Sequence, residues 1–180
     1  MRPGMKLAIL LISGVLIWGG IFFFACSSNN PKERARFVAE KSLMACVDCP
    51  ETVEIKAFSD ADSVFGREYI TLDERVAIAT AMMKISTNVM ARTENMENIN
   101  FEDVELAGLM ERQMSAMAAL RSLTGIIPEE SDKPKPFTGW KVKVEYEAKT
   151  ANGKPYHSEY WFILDKNADC VIKSFEIPLL

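Results

Sequence analysis

The chain has 180 residues, 48% hydrophobic and 26% charged, with a net charge of −4, a composition that is neither disordered nor disulfide-dense. Arg2 and Lys6 are the only charges before residue 27, so the rest of the chain sets 19 of the 21 Lys and Arg against all 25 Asp and Glu, for a net of −6. That balance argues against nucleic acid as a partner, because such binding rests on neutralised phosphates.

The first 25 residues predict a signal peptide or membrane anchor. Arg2 and Lys6 precede an uncharged stretch from Leu7 to Ala25, and Cys26-Ser27-Ser28-Asn29-Asn30 then turns polar. A basic start, an apolar middle and a small residue before a break are the parts of an export signal, yet the stretch is also long enough to span a bilayer as a helix. Phe23-Phe24-Ala25-Cys26 resembles the bacterial lipobox, which implies lipidation of Cys26 and a domain held at the cell membrane or outer membrane. Ala25 matches the small residue of that motif, whereas Phe23 and Phe24 stand where an aliphatic and a small residue are usual. An uncleaved single-pass helix and a simple secretory signal are the alternatives, and all three deliver the domain outside the cytoplasm, since the positive charges stay inside.

Residues 26–30 then form a polar tether, and 31–180 a single α+β domain. Asn30-Pro31-Lys32-Glu33 has the features of a helix start, with Asn as cap and Pro in the first turn. This first helix is expected to reach Ala45 or Cys46, stopped before Pro50. Thr52 to Phe58 alternates as a short strand, and Asp60 to Ser63 reads as a turn. Thr71-Leu72-Asp73-Glu74 is a capping box that opens a second helix to about Arg92, with Ile78, Met82, Ile85 and Val89 as its buried stripe. A third helix runs from Phe101 to Thr124, with Leu106, Met110, Met117 and Leu120 on one face and Gly125 placed to end it. The helical part thus spans 31–126, followed by a proline-bearing linker over 127–137.

From 138 to 178 the period changes to two. Trp140, Val142, Val144, Tyr146 and Ala148 alternate with Lys141, Lys143, Glu145, Glu147 and Lys149, a half-buried strand. Asn152-Gly153 supplies a tight hairpin turn, Tyr156 to Leu164 the second strand, and Cys170 to Ile177 the third. The expected architecture is an antiparallel β-meander whose apolar face is covered by the second and third helices. This layout, behind a lipobox, resembles small lipoproteins of the Bacteroides type with cystatin-like or nuclear-transport-factor-2-like domains. The resemblance implies a non-enzymatic binding or assembly module with a protein partner in the envelope, and in some members a pocket.

Four groups of residues bear on chemistry. Cys46-Val47-Asp48-Cys49 is a C-x-x-C; at the end of a helix, with Asp48 between them, the thiols lack the positive surroundings that favour a thiolate. A disulfide, Cys46 to Cys49 or one of them to Cys170, is the alternative to thiol-redox chemistry. Asp165, Asn167, Asp169 and Glu176 occupy positions one, three, five and twelve of an EF-hand-like loop, a weak calcium candidate, but Cys170 stands where that loop needs glycine. Trp140, Tyr146, Tyr160 and Trp161 would line a concave sheet face able to bind or turn over a small apolar ligand. The seven methionines from Met82 to Met117 raise a soft-metal or adaptable-groove reading, with core filling as the simpler account. His157 is the only histidine and is expected to be a packing or surface residue. No cofactor motif and no catalytic constellation is present.

Overall fold

The computed structural model describes residues 30–93, 103–124 and 134–179. The expected leader, lipidated Cys26, most of the tether, Met96, Phe101, Gly125 and most of the linker lie outside them, and among the described residues no helix is long and apolar enough to cross a membrane. Helix α1 covers Pro31–Cys46 and is followed by a short 3-10 turn at Pro50–Thr52 and strands β1, Glu54–Phe58, and β2, Asp62–Phe65. Helices α2, Leu72–Arg92, and α3, Val104–Thr124, come next, then strands β3, Phe137–Lys149, β4, Pro155–Leu164, and β5, Val171–Leu179. The chain is therefore α+β, with an antiparallel five-stranded sheet.

Local chemistry sets the helix starts. The Asn30 side chain accepts from the Lys32 amide at 3.1 Å, satisfying one of the orphan donors of the first turn. Thr71 and Glu74 complete the reciprocal capping box of α2, with Glu74 N donating to Thr71 Oγ1 at 3.2 Å and Thr71 N to Glu74 Oε2 at 2.8 Å. In the β3–β4 hairpin Gly153 sits at a φ of 76°, the left-handed region that the turn demands. Gly139 has a different reason: a Cβ there would stand 2.0 Å from the Leu164 carbonyl oxygen.

Strand β3 is the spine. It pairs along its whole length with β4, from Trp140 opposite Leu164 to Lys149 opposite Pro155, and β4 pairs in turn with β5. On its other side β1 and β2 lie end to end, Phe58 opposite Val144 and Asp62 opposite Lys141, as one edge strand interrupted at residues 59–61. Ser59 bridges the interruption: its amide donates to the Lys143 carbonyl at 2.9 Å and its hydroxyl accepts from the Lys143 amide at 2.9 Å. The segment 60–63, expected as a turn, therefore leads directly into β2. The expected helical part consequently contains two strands of the sheet.

The two sheet faces are covered by different helices. Trp140, Val142, Val144, Tyr146, Ala148, Phe162 and Leu164 pack under Ala35, Ala39 and Leu43 of α1, with Val47 just beyond it. Alanines four residues apart let that helix approach closely, and Leu43, wholly buried, contributes roughly 1.5–3 kcal/mol by leaving water. Trp161, Ile163, Phe175 and Ile177 point the other way, onto Ile78, Met82, Ile85 and Val89 of α2 and Leu106, Leu109 and Ala116 of α3. This corrects the sequence expectation: the alternating apolar face of β3 belongs to α1, while α2 and α3 cover the opposite face.

Candidate functional site

The four aromatic residues expected to share a ligand face do not meet. Trp140, Tyr146 and Tyr160 lie on the α1 side, and Trp161 lies on the α2–α3 side. The indole N–H of Trp140 donates to the Lys166 carbonyl at 3.1 Å, and Tyr160 stacks on Phe162 with ring centroids 4.8 Å apart. The Tyr146 hydroxyl donates to Glu176 Oε1 at 2.9 Å. Burial pushes the Tyr146 phenol upward, reinforced by the Glu176 carboxylate; Tyr160 moves the same way, through burial and then its hydrogen bond with Cys46. These hydroxyls stay protonated. The side chains beneath α1 pack together as one buried hydrophobic cluster.

Cysteine placement narrows the thiol chemistry. Cys46 ends α1, whereas Cys170 follows Asp169, which pairs with Arg34 in the first turn of that helix at 3.5 Å. From Arg34 to Cys46 the helix rises about 18 Å, far beyond the roughly 4.4–6.8 Å between the Cα atoms of a disulfide. Cys46 and Cys170 thus lie toward opposite ends of α1. Cys46, Cys49 and Cys170 are all free thiols in the structure. Partial desolvation, then the neighbouring Asp165 carboxylate, push the Cys170 thiol upward, away from a reactive thiolate.

The calcium candidate is not assembled. Asp165 Oδ1 accepts the amides of Asp169 and Cys170 at 2.8 and 3.0 Å, closing a tight turn. Asp169 is engaged by Arg34, and Glu176 sits in β5 opposite Tyr160, four residues along β4 from Leu164. At about 3.3 Å per residue that removes it by roughly 13 Å from the turn. Among the described residues no group of three His, Cys, Asp or Glu is placed to hold a metal ion.

Sequence reasoning missed the strongest electrostatic feature. Lys141, 5% exposed, reaches Glu74 with Nζ at 2.6 and 2.7 Å from its two carboxylate oxygens, and Lys143 Nζ lies 2.8 Å from Oε1. Lys143 also stands 4.4 Å over the Trp161 ring, a cation–π contact. Burial alone would push the Glu74 carboxyl up, but the two ammonium groups and the Thr71 amide outweigh it and hold it at about 2. A permanently ionised, fully engaged carboxylate moves no proton at neutral pH, so this cluster fixes α2 to the sheet. The only hint in the sequence was Glu74 at the third position of the capping box. His157 pairs with Glu145 at 2.9 Å, both more than a third exposed, and Glu159 accepts from the Trp161 indole N–H at 2.6 Å.

What remains is the outer surface of the α2–α3 hairpin. Leu72, Val76, Met83 and Met90 of α2 and Val104, Met114 and Met117 of α3 are exposed, Leu72, Met83 and Met114 by 74%, 70% and 69%. Met117 was expected in the core and is instead 39% exposed; Met82 is buried and Met110 packs at the margin of the core. Between Val76 and Ala91 the only charged residue is Lys84. The pairs of Arg92 with Asp103 and Glu105, at 3.3 and 3.1 Å, close the connecting end, and a Gln113–Ser86 hydrogen bond fixes the antiparallel stagger. On another flank of α2 a shallow groove of about 340 Å³ is lined by Ala77, Thr80, Ala81, Lys84, Pro178 and Leu179. The Thr80 hydroxyl donates to the Val76 carbonyl at 2.8 Å, which leaves Lys84 as the side-chain donor of that lining, with the Thr80 oxygen still able to accept. Comparison with protein-family models, curated proteins and solved structures finds no match for this chain.

Proposed function

We propose that this chain is a non-enzymatic binding or assembly module of the cell envelope, tethered to a membrane through its N-terminus, that engages a protein partner with the outer face of α2 and α3. The observation that carries this reading is the pairing of two buried hydrophobic clusters with exposed apolar side chains on one helical hairpin. Such patches, when contiguous, mark interaction sites, and methionines suit an adaptable surface because their side chains are unbranched and polarisable. The tether rests on the uncharged Leu7–Ala25 stretch and on Cys26, four residues before the Asn30 cap. The likeness to Bacteroides-type lipoproteins with cystatin-like or nuclear-transport-factor-2-like domains belongs to the same reading. The clusters of buried side chains under each helix layer count against the rival reading of an enclosed pocket for a small apolar ligand.

The test places a photoreactive residue at Met83 or Met114 of the full-length chain in its own cells, with Lys41, exposed on α1, as the control. Discrete protein adducts from positions 83 and 114, and none from 41, are expected. Equal labelling from all three positions, or none, overturns the docking face. Intact-mass measurement decides the tether separately: added diacylglycerol on Cys26 is expected, a retained Met1 moves the anchor to an uncleaved helix, and cleavage without lipid removes the tether.

A further inference from the structure

Helix α2 carries two apolar seams, and only one of them is used. Ile78, Met82, Ile85 and Val89, spaced four, three and four, face the sheet. Leu72, Val76, Ala79, Met83, Ser86 and Met90 follow the four-three spacing of a coiled-coil seam. At 3.6 residues per turn Leu72, Val76, Ala79, Met83 and Met90 fall within an arc of roughly 60°, and all five are exposed. Ser86, at the margin of this seam, is tied to Gln113 of α3.

We infer that this second seam is the contact between two copies of the chain, with α2 packed antiparallel against α2 of the partner copy about a two-fold axis near residue 81. The inference rests on the docking face proposed above and names its occupant. Residue sizes are complementary in that arrangement. Antiparallel pairing sets Met83 against Ala79, Val76 against Ser86 and Leu72 against Met90, so in the centre each large side chain meets a small one. A parallel pairing would set Met83 against Met83 and Ala79 against Ala79, alternating crowding with voids. Charge agrees: Lys84 is the only charged residue from 76 to 91 and lies off the seam, so the surface offers no charged pattern to recognise a dissimilar partner, and a self-complementary seam needs none.

The contact draws on both helices of the hairpin. A stable two-fold interface buries roughly 800 Å² per partner, and α2 alone is about 30 Å long. The stagger fixed by Ser86 and Gln113 sets Met117 at the level of Met83 and Met110 at the level of Met90, so α3 widens the strip on one side. The result is a four-helix contact of two hairpins, with seam helices roughly 8–10 Å apart.

Disulfide trapping in membranes from cells making the full-length chain tests this. In a background with Cys46, Cys49 and Cys170 replaced by Ser, Ala79→Cys is co-expressed with a differently tagged Met83→Cys chain and treated with a mild oxidant. A covalent dimer carrying both tags is expected, formed several-fold faster than the dimer of either variant alone, and Lys41→Cys gives none. Adding Val76→Glu to both chains is expected to abolish the dimer. Absence of the mixed dimer, or equal trapping at Lys41→Cys, overturns the inference. The photo-crosslinking above separates the two failures: adducts to other proteins without self-adducts leave the docking face standing and overturn the second copy, adducts to lipid alone do the same for the protein partner, and no adducts overturn both.

Discussion

The two faces of one sheet are covered by opposite strategies. On the α1 side two alanines and a leucine lie flat on a continuous aromatic and aliphatic surface, and the covering helix turns a mostly polar back to solvent: Lys32, Glu33, Arg36, Glu40 and Lys41 are exposed there. On the α2–α3 side the helices bury one apolar seam and present another. A closed layer has finished its packing within one chain, whereas a helix that is apolar on two sides has a surface left over. The difference teaches that one layer of this fold finishes its apolar packing within the chain while the other leaves apolar side chains exposed.

That contrast is sharpest in substitutions of similar size. Phe162→Ala, under α1 and wholly buried, is expected to cost about 3–5 kcal/mol, read as a lower urea midpoint with an unchanged slope. Next comes the clamp that holds α2 on the sheet. Glu74→Gln leaves Lys141 buried without its counter-charge and is expected to cost about 3 kcal/mol.

The clamp also predicts a pH signature. Glu74 titrates at about 2 in the folded chain against an ordinary value of 4.5, so its depressed pKa stabilises the fold above pH 4.5 and that contribution is lost as pH falls toward 2. Urea midpoints measured from pH 6 down to pH 2 are expected to decline less steeply in Glu74→Gln than in the parent. Equal declines would detach Glu74 from the stability of the α2 layer. Thr71→Ala, which removes the reciprocal cap of the same helix, is expected to lower stability by about 1 kcal/mol. Smallest of all, Met83→Ala on the outer seam is expected to change stability by under about 0.5 kcal/mol while weakening association. A loss comparable to that of Phe162→Ala would mean that the outer seam is part of the core after all.

Much of this arrangement was legible in the residues. The Thr71–Glu74 box located the start of α2, the change to period two located β3, and Asn152-Gly153 located its hairpin. What periodicity does not report is which of two seams on one helix faces inward, and so Met117 was assigned to the core. Nor does alternation report that a strand's charged side is covered too. Lys141 looked like solvent-facing punctuation, yet its stem lies beneath α2 and its ammonium meets a carboxylate 67 positions away. Strand β2 was hidden for a related reason: Asp60 and Asp62 carry turn chemistry, and only the long-range ladder to β3 draws the segment straight. The EF-hand-like spacing arose from a turn in which Asp165 accepts backbone amides of the turn itself, leaving Glu176 to Tyr146, two strands away on β3.

The interrupted margin of the sheet has a consequence for how these molecules meet. Across β1 and β2 the ladder slips between Ile55 and Ala57, breaks at 59–61 and slips again between Val64 and Phe65. A foreign chain arriving there finds no long row of evenly spaced amides and carbonyls on which to zip itself down. Fibre-like growth by strand addition is blunted on that border, so copies can crowd side by side without their sheets fusing.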